Sequence, residues 1–324
     1  MSLVLSHRTA LELYRSSIMP LSGFVRVPFE SLSVPTSDDV AFYRSLPIRT
    51  AHFPLHCVVS EPKNRRNVKG GHCHVLGADM KAICLRQSNE GSLLCVVSPE
   101  VLFLQMAAQL SLIELVRLGY ELCGSYSLPM AQPNYAGTPR GFSRRSPLTS
   151  VAKLNAHIVQ QGNNRNVKNA RVALRYVVDG AASPRETELC MLMVFPRKMG
   201  GYGLGVPSIR HKRVMSADSA FRLTSGCRSF SLCWREAGIA VAYADKASAG
   251  ENELPKRRWR RCDAADYETV SSIDISSRDI RRVENLDRVA DLVARGHGRY
   301  LRRDMQYDFA SRQTALRDQV LNSM

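Results

Sequence analysis

The sequence predicts an α+β protein built in two parts, and three observations carry that prediction. The chain has 324 residues, more than one typical domain. Hydrophobic residues make up 44% and charged residues 23%, a balance that lets a sizeable core form and excludes a disordered chain. Strand-length apolar pieces and capped helices occur on both sides of a proline-rich stretch at 129–147, which reads as a linker between parts 1–128 and 148–324.

In the first part, Phe24–Val27, Leu55–Val59 and His74–Leu76 read as short strands separated by turn-rich or charged stretches. Leu93–Val97 is a continuous apolar run of strand length after the turn residues Gly91 and Ser92, as expected of a buried strand. Ser98, Pro99 and Glu100 open a helix, as N-cap, first-turn proline and an acid at the positive end of the dipole. Ser111 and Glu114 form an S-x-x-E box that opens another helix, ending near Gly124.

The second part begins with a helical stretch near Leu148. Ser183-Pro184-Arg185-Glu186 is a further S-x-x-E box, leading into the apolar helix Leu189–Phe195, which stops at Pro196. Gly200–Gly205 reads as a turn feeding a sheet. It lacks the spacing of a nucleotide-binding loop. Phe230–Trp234 and Ile239–Tyr243 read as strands joined by a tight turn at Glu236–Gly238, with a third strand at Val270–Ile275. Glu284–Arg295 reads as a helix closed by Gly296.

Lys and Arg number 45 against 29 Asp and Glu, a formal charge of +16, so polyanions, nucleic acid first, are the expected partners. Arg165, Lys168, Arg171 and Arg175 recur at helical spacing and line one stripe suited to phosphates or to plain solvation. Lys256, Arg257, Arg258, Trp259, Arg260 and Arg261 set five cations around a tryptophan, which suits backbone contact with base stacking. The bland reading is a basic helix with Trp259 packed on the core. Lys63, Arg65, Arg66 and Lys69 form a weaker loop patch. The nine cysteines are scattered without a CxxC pair. With no apolar signal core in Met1–Ala10 and no membrane-length apolar run, a cytoplasmic, reducing setting is expected. His52, His56, Cys57, His72, Cys73 and His74 fit no tetrahedral zinc spacing, so ordinary strand residues are expected there, and no metal site.

The landmarks Ser183–Glu188, Gly200-Gly201-Tyr202-Gly203, Ser231-Leu232-Cys233-Trp234 and Val241-Ala242-Tyr243 resemble the very-short-patch-repair (Vsr)-type endonucleases. These belong to the wider PD-(D/E)XK nuclease fold, and the likeness is closest to an actinobacterial branch. Leu5–Leu13 and Val97–Glu100 resemble the body of AbiE-type antitoxins, which often precedes such a module. The resemblance implies a small mixed α/β N-terminal domain followed by a restriction-endonuclease-like domain, a mixed central sheet flanked by helices. Antitoxins of that type usually carry a winged helix ahead of the body. Met1 begins at the body, so repression through such a head is not expected.

Such nucleases gather a helix Glu, a first-strand Asp and a second-strand acid around divalent ions, because hard cations take oxygen ligands. The resemblance puts the helix acid at Glu186, the first-strand acid at Ser231 and the second-strand acid at Ala242, with the following acid at Ala244. By strand alternation Ser231, Ala242 and Ala244 share the face that should carry ligands, and that face is small and uncharged. Glu186 also has a plain role as the third helical residue of its capping box. The expected function is therefore a nucleic-acid-binding, catalytically degenerate nuclease-fold protein, with DNA as partner and no cofactor. Two alternatives stay open. One is an active endonuclease with a rearranged site of Glu186, Asp245 and Lys246 using Mg²⁺, which needs a β-bulge to turn Asp245 inward. The other is an antitoxin-like module with a protein partner.

Overall fold

A computed structural model describes residues 2–16, 24–45, 54–65, 70–76, 80–87, 93–129, 141–162, 165–211, 230–243, 260–264, 267–301 and 307–321. The fold is α+β, with a mixed sheet in each of two units. Unit 1 comprises Met1–Leu122 and Ser127–Arg175, and unit 2 comprises Cys123–Tyr126 and Tyr176–Met324.

Unit 1 holds strands β1 (Ser2–Leu5), β2 (Phe24–Val27), β3 (Leu55–Val59), β4 (Gly71–Val75), β5 (Met80–Gln87) and β6 (Leu93–Val97) in the order β2-β5-β6-β1-β3-β4. β1 runs parallel to β6 and antiparallel to β3, so Val4 lies between Cys95 and Val58, and all four residues of β1 are buried. A strand this short and this central shows no alternation in sequence, which hides it from a periodicity reading. Its helices are α1 (His7–Arg15), α2 (Ser37–Ser45), α3 (Pro99–Met106), α4 (Leu112–Cys123), α5 (Val151–Val159) and α6 (Arg165–Leu174). The Ser98 hydroxyl accepts from Val101 N at 3.4 Å, and Ser111 and Glu114 exchange bonds of 3.3 and 2.9 Å, as the cap signals require. A two-stranded ribbon, β7 (Tyr126–Ser127) with β8 (Ser143–Arg144), completes the strands before residue 150.

The sequence placed the division of the chain in 129–147. The structure places it after Arg175, because α5 and α6 pack on α3 and bury Leu154, Ile158, Val167 and Ala170 in unit 1. Pro129 and Pro147, at the two ends of that stretch, both belong to unit 1.

Unit 2 is built on α7 (Pro184–Val194), whose named residues are buried apart from half-buried Arg185. Its sheet has the order β12-β13-β11-β10-β9, from β9 (Ser208–His211), β10 (Phe230–Trp234), β11 (Ile239–Tyr243), β12 (Arg260–Ala264) and β13 (Tyr267–Ile275). β9, β10 and β11 are antiparallel neighbours, and β13 returns parallel to β11. α8 (Ser277–Arg281), α9 (Val283–Gly296) and α10 (Tyr307–Leu321) follow. Gly200 adopts φ +93° as the cap of the turn Arg197–Met199, and a Cβ there would meet the Arg312 carbonyl oxygen of α10 at 2.3 Å. Gly201 is equally constrained, by the Phe195 carbonyl at 2.1 Å. The glycines of this turn thus let backbones touch, rather than cradle a ligand.

Candidate functional site

Glu186 opens the first turn of α7, where the Ser183 hydroxyl accepts from its backbone N–H at 3.2 Å. In an ordinary capping box the glutamate would accept from the cap residue's own N–H. Here it reaches one residue further back, and Oε2 accepts from Ala182 N at 2.6 Å. Its other oxygen turns to the sheet: the Ser231 hydroxyl of β10 donates to Glu186 Oε1 at 3.0 Å. The same Ser231 oxygen accepts from Tyr243 N of β11 at 3.1 Å. Glu186 is 9% exposed and Ser231 4%.

The β10–β11 register pairs Leu232 with Val241, Cys233 with Ala240 and Trp234 with Ile239, which sets Ser231 opposite Ala242. The positions assigned by resemblance to a helix acid, a first-strand acid and a second-strand acid therefore do meet at one place, and one carboxylate is there. Both its oxygens are hydrogen-bonded to the protein. The small residues have a structural reason: both faces of the hairpin are buried, and α7 packs on β10. Larger side chains at 231 and 242 would hold the helix off the sheet.

Two further acids lie on the elements that build the site. Glu188 is fully buried on α7 and receives Arg185 Nη1 at 2.6 Å, so its charge is matched within the helix. Asp274 was not singled out from sequence. The parallel register of β11 and β13 pairs it with Ala242, on the face of Ser231, but at the exposed end of the small-residue row. Only the pairing of β11 with β13 shows this, and no local signal in the sequence announces it. Asp245, Lys246 and Ala244 lie outside the described residues.

The cationic candidates separate. Arg165, Lys168, Arg171 and Arg175 are exposed, along and just beyond α6, but α6 belongs to unit 1 and not to the nuclease-like part where the sequence division placed it. Lys256, Arg257, Arg258 and Trp259 lie outside the described residues. Arg260 and Arg261 begin the edge strand β12, pairing with Ser272 and Ser271, so the end of that run is extended rather than helical. Asp263 is also in β12. The strand wins there because β13 offers it a backbone ladder, a long-range partner that helical spacing cannot reveal.

Of the suggested zinc residues, His52 lies outside the described residues, while His56, His72 and His74 share one face of β3–β4, and Cys57 and Cys73 are 3.6 Å apart. His7, to which sequence reasoning assigns no role, joins the three histidines. Among the described residues no three His, Cys, Asp or Glu side chains are arranged to hold a metal ion. Nor is any helix among them long and apolar enough to cross a membrane. Compared with protein-family models, with curated proteins and with solved structures, the chain has no match.

Proposed function

We propose that this protein is a nucleic-acid-binding member of the Vsr-like, PD-(D/E)XK type whose hydrolytic site is degenerate, working on DNA in the cytoplasm. The observation that supports this reading is the Glu186–Ser231 bond, with a hydroxyl where a second carboxylate would be needed. A divalent ion must shed water, and a single carboxylate already satisfied by Ala182 N and Ser231 is a poor replacement for that shell. Binding without cleavage fits the net charge of +16 and the four exposed cations along and just beyond α6. The AbiE-like likeness of the first part remains a proposal of the same kind. A reducing compartment fits nine cysteines scattered along the chain without a CxxC pair.

The test is incubation of purified protein with single- and double-stranded DNA in Mg²⁺ or Mn²⁺, beside a salt-titrated gel shift. The expected result is no cleavage above background and an affinity that falls steeply with salt. Metal-dependent cleavage abolished by Glu186→Ala would instead establish an active enzyme. Absence of binding even at low salt would favour a protein partner.

A further inference from the structure

Four histidines unused by the functional reading meet in unit 1. The parallel register of β3 and β4 pairs His56 with His72 and Val58 with His74, so His56, His72 and His74 rise from one sheet face, with β4 at the sheet edge. His7 completes the group from the first position of α1. It is the single non-glycine residue with positive φ, 48°, among the described residues, an uncommon conformation that histidine adopts more readily than most side chains.

What fixes it is visible. The His7 ring, 7% exposed, stacks on His74 with 3.5 Å between centroids, and Ser6 Oγ lies 3.0 Å from its Nδ1. Its backbone N–H donates to Gln105 Oε1 of α3. His56 Nδ1 and His74 Nε2 are 2.8 Å apart, and His72 lies 4.7 Å from His74 and 5.3 Å from His56 between centroids. A hydrogen bond between two imidazoles needs one bare nitrogen, so it survives only while at least one of the two rings is neutral. His74 stacks with His7 and His56 while His72 is tilted against its neighbours, no metal-holding group of side chains forms among the described residues, and the chemistry this arrangement offers is that of protons.

We propose that the four-imidazole stack is an acid-sensitive latch: neutral, it clamps the start of α1 onto the β3–β4 edge, and protonation releases that corner of unit 1. The charged groups that act on the stack oppose protonation. They are Arg8 of α1, felt by His56, and Arg65 beyond β3, felt by His74, while Glu12 of α1 is 3.9 Å from Arg8. The causes that act on the three rings that shift are burial, the neighbouring rings and these two arginines. Burial, then the neighbouring rings, lowers His7 to about 3, and the same causes lower His56 and His74 to about 4. His7 also opens a helix, whose positive end disfavours an added proton. In an opened segment these rings titrate near 6.5, so the closed form is favoured fully above pH 6.5. That advantage is lost progressively as pH falls from 6.5 towards 4 and then 3.

Hydrogen exchange read by mass spectrometry on the full chain at pH 7.5 and 5.0, corrected for intrinsic exchange, tests this. The expected result is a loss of protection of at least about tenfold in residues 2–16, 55–65 and 70–75, with β10 and β11 unchanged. His7→Asn, which tolerates positive φ, should shrink that loss. Should it not fold, the exposed-site variant His72→Gln should shrink it too, by removing one ring from the mutual repulsion. Protection unchanged down to pH 5.0, or a loss unaltered by both substitutions, would overturn the latch. So would tight zinc binding to the wild-type protein at pH 7.5 that His74→Gln abolishes, since the rings would then be coordinating a metal.

Discussion

The hydroxyl of Ser231 on β10 and the carboxylate of Glu186 on α7 are joined by a 3.0 Å bond that ties the capped start of a buried helix to the middle of a buried hairpin. The same carboxylate closes the turn before the helix through Ala182 N. One side chain thus fixes the entry, axis and height of α7 over the sheet, a structural task independent of catalysis.

Glu186→Ala should therefore destabilise the protein in the absence of any ligand. It leaves the buried Ser231 hydroxyl without its acceptor, at about 1–3 kcal/mol, and the half-buried Ala182 N–H without its own at a smaller cost. Glu186→Gln keeps one acceptor oxygen and should cost less. Urea unfolding followed by near-ultraviolet circular dichroism of Trp234 checks the order. Equal stability of the alanine variant and the wild type would remove the structural role.

Ser231→Asp should convert the site. Two carboxylates about a hydrogen-bond length apart in a buried place repel one another, so the variant should be less stable than wild type in chelator. A divalent cation relieves that repulsion, so millimolar Mg²⁺ or Mn²⁺ should raise the Tm of the variant and leave wild type unmoved. Thermal scans with and without metal give the answer. A wild-type protein stabilised by Mg²⁺ as strongly as the variant would count against a degenerate site.

How much of this was legible beforehand follows from range. Ser98, Ser111 and Ser183 announced their helices because a cap is decided within four residues. The alternation in Leu232, Trp234, Ile239 and Val241 showed the hairpin and its small face for the same local reason. Pairings over long separations were not legible. β1 was invisible because its neighbours, β6 and β3, lie far along the chain. Asp274 reached the small face through the register of β13, and His7 met His56 and His74 through the packing of α1 on β3. The proline-rich segment misplaced the division because composition reports backbone irregularity and not which core a later helix joins.

Gly200→Ala should be costly although no ligand or charge is involved. The new methyl meets the Arg312 backbone of α10 at 2.3 Å, and the residue must also hold φ +93°. Overpacking against backbone costs about 1–3 kcal/mol, and left-handed strain adds to it. Gly205→Ala, with open space around its Cβ position, is the matched control and should be near neutral. Comparable losses from both would mean the close approach of α10 is not what the glycine serves.

The stripe on α6 makes a prediction about salt. If Arg165, Lys168, Arg171 and Arg175 bind phosphates, neutralising two of them should weaken DNA binding at every sequence tested. It should also flatten the dependence of log affinity on log salt by roughly 0.9 for each duplex phosphate that is no longer neutralised. Because all four are exposed, Lys168→Ala with Arg171→Ala should leave the Tm within about 1–2 °C. An unchanged slope would move the interface elsewhere, to the Lys256–Arg261 run first.

In unit 1, Arg15 and Glu121 form a bidentate pair, Nε to Oε1 at 2.9 Å and Nη2 to Oε2 at 2.6 Å, with the carboxylate 1% exposed. Burial alone would raise this carboxyl. The Arg15 guanidinium, aided by Arg145 and the Leu128 N–H, outweighs it and holds Glu121 below its ordinary 4.5. A folded value below the unfolded one gives stability that is present above about pH 4.5 and lost as pH falls through the folded value. Arg15→Met should cost about 3–5 kcal/mol at neutral pH, because it leaves a buried carboxylate without its main partner. It should also flatten the acid limb, since a Glu121 no longer held down gains less from ionisation than the wild-type residue does. Urea midpoints from pH 7 down to about pH 2 on both proteins separate the outcomes. Parallel curves, displaced but equally steep, would show that the pair contributes packing and not charge.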